Sequence, residues 1–353
     1  MNIYVPGSSR NWFKLLFLGV CLYFLSEASA IFLPLILAFV LAFILHPLVT
    51  RLERLPFGTR RLAVPKFMAI LVSFAATGVV AFFVGSFLLL PLLVELNKFL
   101  ANLPNLMEKF RLLTVSLNEG AVIQLPSNLQ SLLDQALTGA AAFSVDLLKR
   151  VVRSSLLFAT GLVELVVVPV LTFYFLKDWR LLLSRFVAYF PRASHDKVNT
   201  ILVEIGRVVS AYIRGQFLVS MIVGAAVAAG IYLLGVDYPL VLGVLAVLTE
   251  AIPIVGPIVG AVPAIFLAYL TSPLLAVKVT VFFLVLHQIE NHILVPTVMG
   301  GSINLHPVWV IVSLLVGAQL LGILGMILAV PVAAILSVLL DQLWFSDEER
   351  GDS

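Results

Sequence analysis

Charge is scarce in this chain. Asp, Glu, Lys and Arg make up 12% of its 353 residues, about half the roughly 25% usual in soluble domains. Cysteine occurs once, as Cys21. A lone cysteine excludes an intramolecular disulfide and a cysteine-based metal site. No long basic run and no base-reading module is present, so the net charge of +3 does not point to nucleic acid. The phosphate loop G-x-x-x-x-G-K-[ST] and the zinc motif H-E-x-x-H are both absent, which removes ATP hydrolysis by that loop and that metalloprotease chemistry. His287 and His292 are five apart with Glu290 between them, and that spacing does not fit helical zinc. The chain reads as a non-enzyme with neither cofactor nor metal.

What the chain has in excess is apolar surface. Hydrophobic residues are 61% of it, and mean hydropathy is +1.11. Several apolar runs reach the ~20 residues that cross a bilayer as a helix. The expected fold is an all-α polytopic membrane protein. Apolar segments fall near 13–28, 31–49, 63–94, 155–176, 216–235, 238–271, 274–299 and 307–341, or about eight transmembrane segments. Near the N-terminus Arg10, Lys14, Leu15 to Leu25 and Ala28-Ser29-Ala30 imitate a cleavable secretory signal. The next apolar run starts at once, at Ile31, so an uncleaved first helix is the plainer reading.

Charge asymmetry sets the expected orientation. Residues 50–66 carry Arg51, Arg54, Arg60, Arg61 and Lys66 against Glu53 alone, and 177–215 carry seven Lys/Arg against three Asp/Glu. Both are expected on the cytoplasmic side of a bacterial inner membrane, with the N-terminus cytoplasmic as well. Residues 95–155 hold six basic and five acidic residues and are the candidate outer segment. The resulting division is 1–94 N-terminal spans, 95–155 extramembrane helices, 156–176 a span and 177–215 cytoplasmic amphipathic helices. A transport region at 216–345 and an acidic tail at 346–353 complete it.

Two extramembrane regions have helical spacing. Leu96, Phe99, Leu100, Leu103, Leu106, Met107 and Phe110 form one stripe. A second helix is expected from Ser127, with Gln130 completing a capping box. On the inner side Pro191 ends a short helix and Ser194 is placed to cap the next. That helix has the stripe Val198, Ile201, Leu202, Ile205, Val208, Val209 and Tyr212. It is either an interfacial helix or a plain connector.

The densest chemistry lies at 279–299, VTVFFLVLHQIENHILVPTVM. His287, Gln288, Glu290, Asn291 and His292 interrupt an apolar run, with Pro296 behind them. Unpaired polar groups in hydrocarbon cost several kcal/mol each, so these five must face protein, a cavity or water. His287 and Glu290 share one helix face. Gln288, Asn291 and His292 are expected on an adjacent one.

A second anomaly is EAIPIVGPIVGAVPA, Glu250 to Ala264. Three prolines and two glycines are incompatible with one regular helix. A break near Glu250 to Pro253, an unwound turn around Gly256 and Pro257 and a second half-helix are expected, with a kinked helix as the alternative. The last apolar region echoes this, with Gly322, Gly325 and Pro331, and a hairpin near Gly322 is expected. Paired Gly/Pro-broken segments point to a transport pathway. Glu250 and Glu290 are then the candidate proton or cation sites, and Gln288 and Asn291 can hydrogen-bond a polar ligand. The competing reading is a hydrogen-bonded network that only holds helices together.

At these residues the chain resembles a known family. The elements are Pro169-Val-Leu-Thr-Phe-Tyr-Phe-Leu-Lys-Asp178, Tyr212-Ile-Arg-Gly-Gln216, Glu250-Ala-Ile-Pro-Ile-Val-Gly-Pro257, Gln288-Ile-Glu-Asn-His-Ile-Leu-Val-Pro-Thr-Val-Met-Gly300 and Gly325-Met-Ile-Leu-Ala-Val-Pro331. They resemble the autoinducer-2 exporter family of bacterial permease-like proteins. The resemblance implies an inner-membrane transporter, homo-oligomeric, with either autoinducer-2 export or sodium(lithium)/proton exchange as its activity. The leading expectation is export of a small polar metabolite of the autoinducer-2 type. A cation/proton antiporter is the alternative, and a non-transporting membrane scaffold is a third. The expected partners are the lipid bilayer and a small polar metabolite or a monovalent cation and proton.

Overall fold

The computed structural model describes residues 29–54, 56–57, 62–120, 162–300 and 305–342, with isolated residues between 135 and 146. The first apolar run, Cys21, the helix expected from Ser127 and the acidic tail lie outside the described residues. Helices dominate the rest, as the composition predicts. The chain divides into two compact units, residues 1–73 with 161–181, and residues 74–160 with 182–353.

In the first unit, α1 (Ser29–Glu53) leads into two-residue strands, β1 (Pro56–Phe57) and β2 (Leu62–Ala63). These pair antiparallel, Pro56 with Ala63 and Phe57 with Leu62. Two long helices follow, α2 (Lys66–Gly120) and α3 (Leu162–Val187), and each runs on into the second unit. Ala38, Ala42, Leu45 and Val49 recur at helical spacing and are buried. The Thr172 hydroxyl of α3 donates to the Ala38 carbonyl at 3.1 Å. Phe39 meets Phe175 edge-on, with ring centroids 5.7 Å apart.

The second unit holds the candidate site. It contains α4 (His195–Leu233), α5 (Pro239–Glu250), α6 (Val255–Thr271) and α7 (Pro273–Ile289). A π-helical turn, Glu290–Leu294, then leads into α8 (Val295–Met299), and α9 (Pro307–Leu340) closes the order. Among the described residues, five helices are long and apolar enough to cross a membrane, while α5 and α6 are shorter apolar helices. At about 1.5 Å per residue α5 covers only about 18 Å, less than the ~30 Å hydrocarbon core. The chain is a multi-pass membrane protein with large apolar faces turned outward. Phe82 is 70% exposed and Leu320 74%, as lipid contact requires.

Helices run further than the sequence predicts. The segment at 95–120 is not a separate element. It continues the helix that begins at Lys66, because nothing at 94–96 breaks it and Pro91 is tolerated inside. Fifty-five residues reach about 82 Å, well beyond a bilayer. The stripe at 198–212 is likewise continuous with the span after it, in α4. Helix α3 runs through to Val187 before the chain reaches Pro191. Ser194 does occupy the N-cap of α4, but its side chain makes no cap hydrogen bond.

The core of the second unit is a stripe on α4 packed against the following helices. Val219, Val223, Val227 and Ile231 are at most 1% exposed and cluster with Leu242, Leu245 and Phe266. Within a bilayer such contacts hold by close packing rather than by escape from water.

Both Gly/Pro-broken segments are tight helical hairpins. Between α5 and α6 the turn is Ala251–Ile254, not Gly256 and Pro257 as expected. Pro257 lies in the first turn of α6, where its missing N–H costs nothing. A Cβ at Gly256 would collide with the Thr249 carbonyl. Within α9 the backbone reverses at Gly322 (φ 61°, ψ −135°), a conformation that suits only glycine. The halves then approach so closely that a Cβ at Gly325 would strike the Gly317 carbonyl.

Candidate functional site

The two hairpins and the polar knot meet at a cavity of about 490 Å³. Helix α4 contributes Tyr212, Gln216 and Val219, three residues on one face. The α5–α6 hairpin contributes Glu250, Pro253, Ile254, Pro257 and Ile258. The polar knot contributes His287, Glu290 and Asn291. Leu305, Pro307, Val310 and Val330 close the far side.

Glu250 and Glu290 are the buried charged side chains of the described residues, at 2% and 5% exposure. They approach from different elements, one from the end of α5 and one from the start of the π turn. Both side chains line the same cavity. Glu290 Oε2 has no hydrogen-bond partner among the described residues, and neither has the Tyr212 hydroxyl. Buried polar atoms are normally satisfied, and two that are not lie beside this one cavity.

The position of Glu250 is fixed by Gln216, whose Nε2 donates to the Glu250 carbonyl at 2.6 Å. That carbonyl would otherwise be one of the unsatisfied acceptors at a helix end. The next turn is strained. Val255 N donates to the Pro253 carbonyl at 2.7 Å around Ile254, whose φ is 66° and ψ −48°. This is a γ-turn of the rare positive-φ kind, occupied by a β-branched residue that disfavours it.

The structure divides the polar knot. His287, Glu290 and Asn291 face the cavity, and the His287 ring lies 5.8 Å from that of Phe283. Gln288 and His292 do not reach it. They are exposed, face a shallow depression on the outer side of the helix, and His292 Nδ1 lies 3.0 Å from the Gln288 carbonyl. Pro253 and Pro257 line the cavity as expected. Gly256, Gly322, Gly325 and Pro331 shape the hairpins without lining it, and Val330 beside Pro331 does line it. Sequence reasoning misses Tyr212 and Gln216 as site residues, although both stand in a family element. That element, Tyr212 to Gln216, was the available signal. Among the described residues no group of three or more His, Cys, Asp or Glu side chains converges as a metal site would require.

The π turn explains how this face is built. An α-helix advances about 100° per residue, so an i, i+4 series drifts about 40° per step. A π turn takes up one extra residue. It cancels most of that drift, so His287, Asn291, Val295 and Met299 all line the cavity.

The pattern of the family described as AI-2E family transporter matches residues 13–344. The chain belongs to the AI-2E transporter family. YueF of Bacillus subtilis, provisionally named a transport protein, is 30% identical over 88% of this chain and 84% of its own. YrrI of the same organism, named in the same way, is 38% identical over 49% of each chain. YhhT of Escherichia coli, again provisionally a transport protein, is 28% identical over 92% of this chain and 88% of its own. An AI-2E transporter is thus a membrane protein of transport character, and the cavity lies inside the matched region.

Proposed function

We propose that this AI-2E transporter is a secondary transporter exchanging protons against a monovalent cation, with Glu250 and Glu290 as the coupling site. One observation carries the reading: two carboxyls from separate broken elements meet, buried, at one cavity. Like charges buried at one cavity repel strongly away from water. A proton or a cation between them removes the repulsion, and the two compete for the same place. The Ala251–Ile254 turn and the Gly322 hairpin are the elements best placed to change the cavity's access. The basic segments at 50–66 and 177–215 support a cytoplasmic placement for those residues, and hence an inner-membrane protein with a cytoplasmic N-terminus.

The test is an imposed sodium or lithium gradient across proteoliposomes that contain a pH-sensitive dye. The wild-type chain should move protons, and Glu250→Gln or Glu290→Gln should slow the movement about tenfold or more. The absence of any pH response to either gradient rejects the reading.

Export of a small polar metabolite of the autoinducer-2 type is the second reading. The cavity volume favours it, since about 490 Å³ exceeds what a bare cation needs, and Asn291 offers an amide to a polar ligand. Metabolite export at the wild-type rate by both Glu290→Gln and Asn291→Ala would reject it.

A further inference from the structure

The cavity also restricts the kind of cation it can take, and this step rests on the Glu250–Glu290 pair being the coupling site. The lining holds no Lys or Arg among the described residues, so an anion would meet two carboxyls and no counter-charge. Most of the wall is apolar, with Val219, Ile258, Val295, Met299, Val310 and Val330 around the polar end. A polyol would leave that wall unmatched, and a small inorganic cation would occupy the polar end alone. The volume of about 490 Å³ is many times the ~30 Å³ share of one water.

The polar end has a countable capacity. Glu290 Oε2 and the Tyr212 hydroxyl lack partners among the described residues, and both residues are only 5% exposed. The Glu250 carboxyl is the third group there. All three can accept a hydrogen bond, and an ammonium head carries three donors.

We infer that the cavity binds a protonated primary amine with an apolar body, its ammonium donating to Glu290, Glu250 and the Tyr212 hydroxyl. The apolar body lies along the wall formed by α8 and α9. One ammonium enters as one proton leaves the carboxyl pair, so charge balances without any covalent step.

The experiment uses the full chain in lipid nanodiscs and titration calorimetry with four probes. They are phenethylammonium, its neutral analogue phenethyl alcohol, phenethyltrimethylammonium, and methylammonium. Phenethylammonium should bind about tenfold or more tightly than the alcohol or the quaternary ion, because those lack the charge or the donors. It should also outbind methylammonium, which has no apolar body. Binding should release a proton, read as a heat that changes with buffer ionisation enthalpy. Tyr212→Phe should weaken phenethylammonium several-fold. Val310→Trp, which fills the apolar wall, should weaken phenethylammonium and spare methylammonium. Equal binding of the alcohol or the quaternary ion overturns the inference, as does undiminished binding by Tyr212→Phe. These wild-type comparisons decide the matter even if a variant fails to fold. Sodium-driven proton movement without phenethylammonium binding overturns this inference and leaves the exchange reading standing. The absence of both removes both.

Discussion

Helix α5 starts without a cap of its own, and a residue 145 positions earlier supplies one. Tyr238 holds the N-cap position in a left-handed conformation and makes no side-chain cap bond. Pro239 has no N–H, and Leu242 N donates to the Tyr238 carbonyl at 3.0 Å. The remaining two donors, Leu240 N and Val241 N, both reach Glu95 Oε2 of α2, at 2.9 and 3.2 Å. Asn102, two turns on, donates to the Tyr238 hydroxyl at 3.1 Å. The Phe99 ring meets Tyr238 edge-on at 5.3 Å.

Removing Glu95 leaves two helix donors unpartnered, at about 1–3 kcal/mol each when water cannot reach them. Glu95 is half-buried, so the loss should fall nearer the about 0.5–2 kcal/mol of a lost cap. The charge adds about 0.3–1 kcal/mol through the helix dipole. Glu95→Leu should therefore destabilise by about 2 kcal/mol, while Glu95→Gln, which keeps an acceptor, should lose about half of that. Thermal unfolding of the detergent-solubilised protein, followed by tryptophan fluorescence, reads the order. Glu95→Leu combined with Asn102→Ala should cost less than the sum of the two, because both tie down one turn. If Glu95→Leu melts with the wild type, or Gln is as harmful as Leu, the carboxylate is not the cap.

Three further outcomes follow from the geometry near the cavity. Gln216→Met keeps the side-chain length but removes the donor to the Glu250 carbonyl, so it should cost about 1–3 kcal/mol. It should also slow sodium-driven proton movement, and unchanged flux would deny Gln216 a positioning role. Gly325→Val places a branched side chain where the Gly317 carbonyl lies, and overpacking of this kind costs about 1–3 kcal/mol or more. A normally melting Gly325→Val protein would mean that the α9 hairpin is not closed there. Ile254→Gly removes about 1–3 kcal/mol of backbone strain against about 0.5–1 kcal/mol of added chain entropy. That variant should unfold no earlier than the wild type, whereas Ile254→Ala keeps the strained φ and should not benefit.

The fold was legible where composition and punctuation carry it. Apolar runs of spanning length announce the membrane, and the glycines and prolines at 250–264 and 317–331 announce two reversals. Their exact turns were less accessible. Proline marks where a helix cannot continue, but it is equally at home in a first turn, so Pro257 could not say on which side of it the break falls. Helix continuity was the weaker side of the reading. A change from apolar to amphipathic character, as at 94–96 or 212–216, marks where the surroundings change while the backbone runs on.

The candidate site was legible in its carboxyls and illegible in its faces. A buried Glu in an apolar segment stands out from sequence alone, because nothing in hydrocarbon solvates it, and Glu250 and Glu290 do meet. That Gln288 and His292 turn away while Asn291 turns in depends on where α4 and α9 stand around that helix. Nothing local encodes this. Nor does any propensity announce a π turn at Glu290–Leu294, although it is what brings Val295 and Met299 to the cavity. Tyr212 belongs to the same class of residue. Its spacing makes it one more apolar-stripe position, and only the carboxyls across the cavity turn its unpartnered hydroxyl into a candidate ligand contact. The polar half of the cavity is therefore assembled from four elements, and the α4 face that carries Tyr212 and Gln216 reads locally as an ordinary helix face. Substitutions at Tyr212 and Gln216 consequently test the site more sharply than those at Gln288 and His292, which should leave proton movement unchanged.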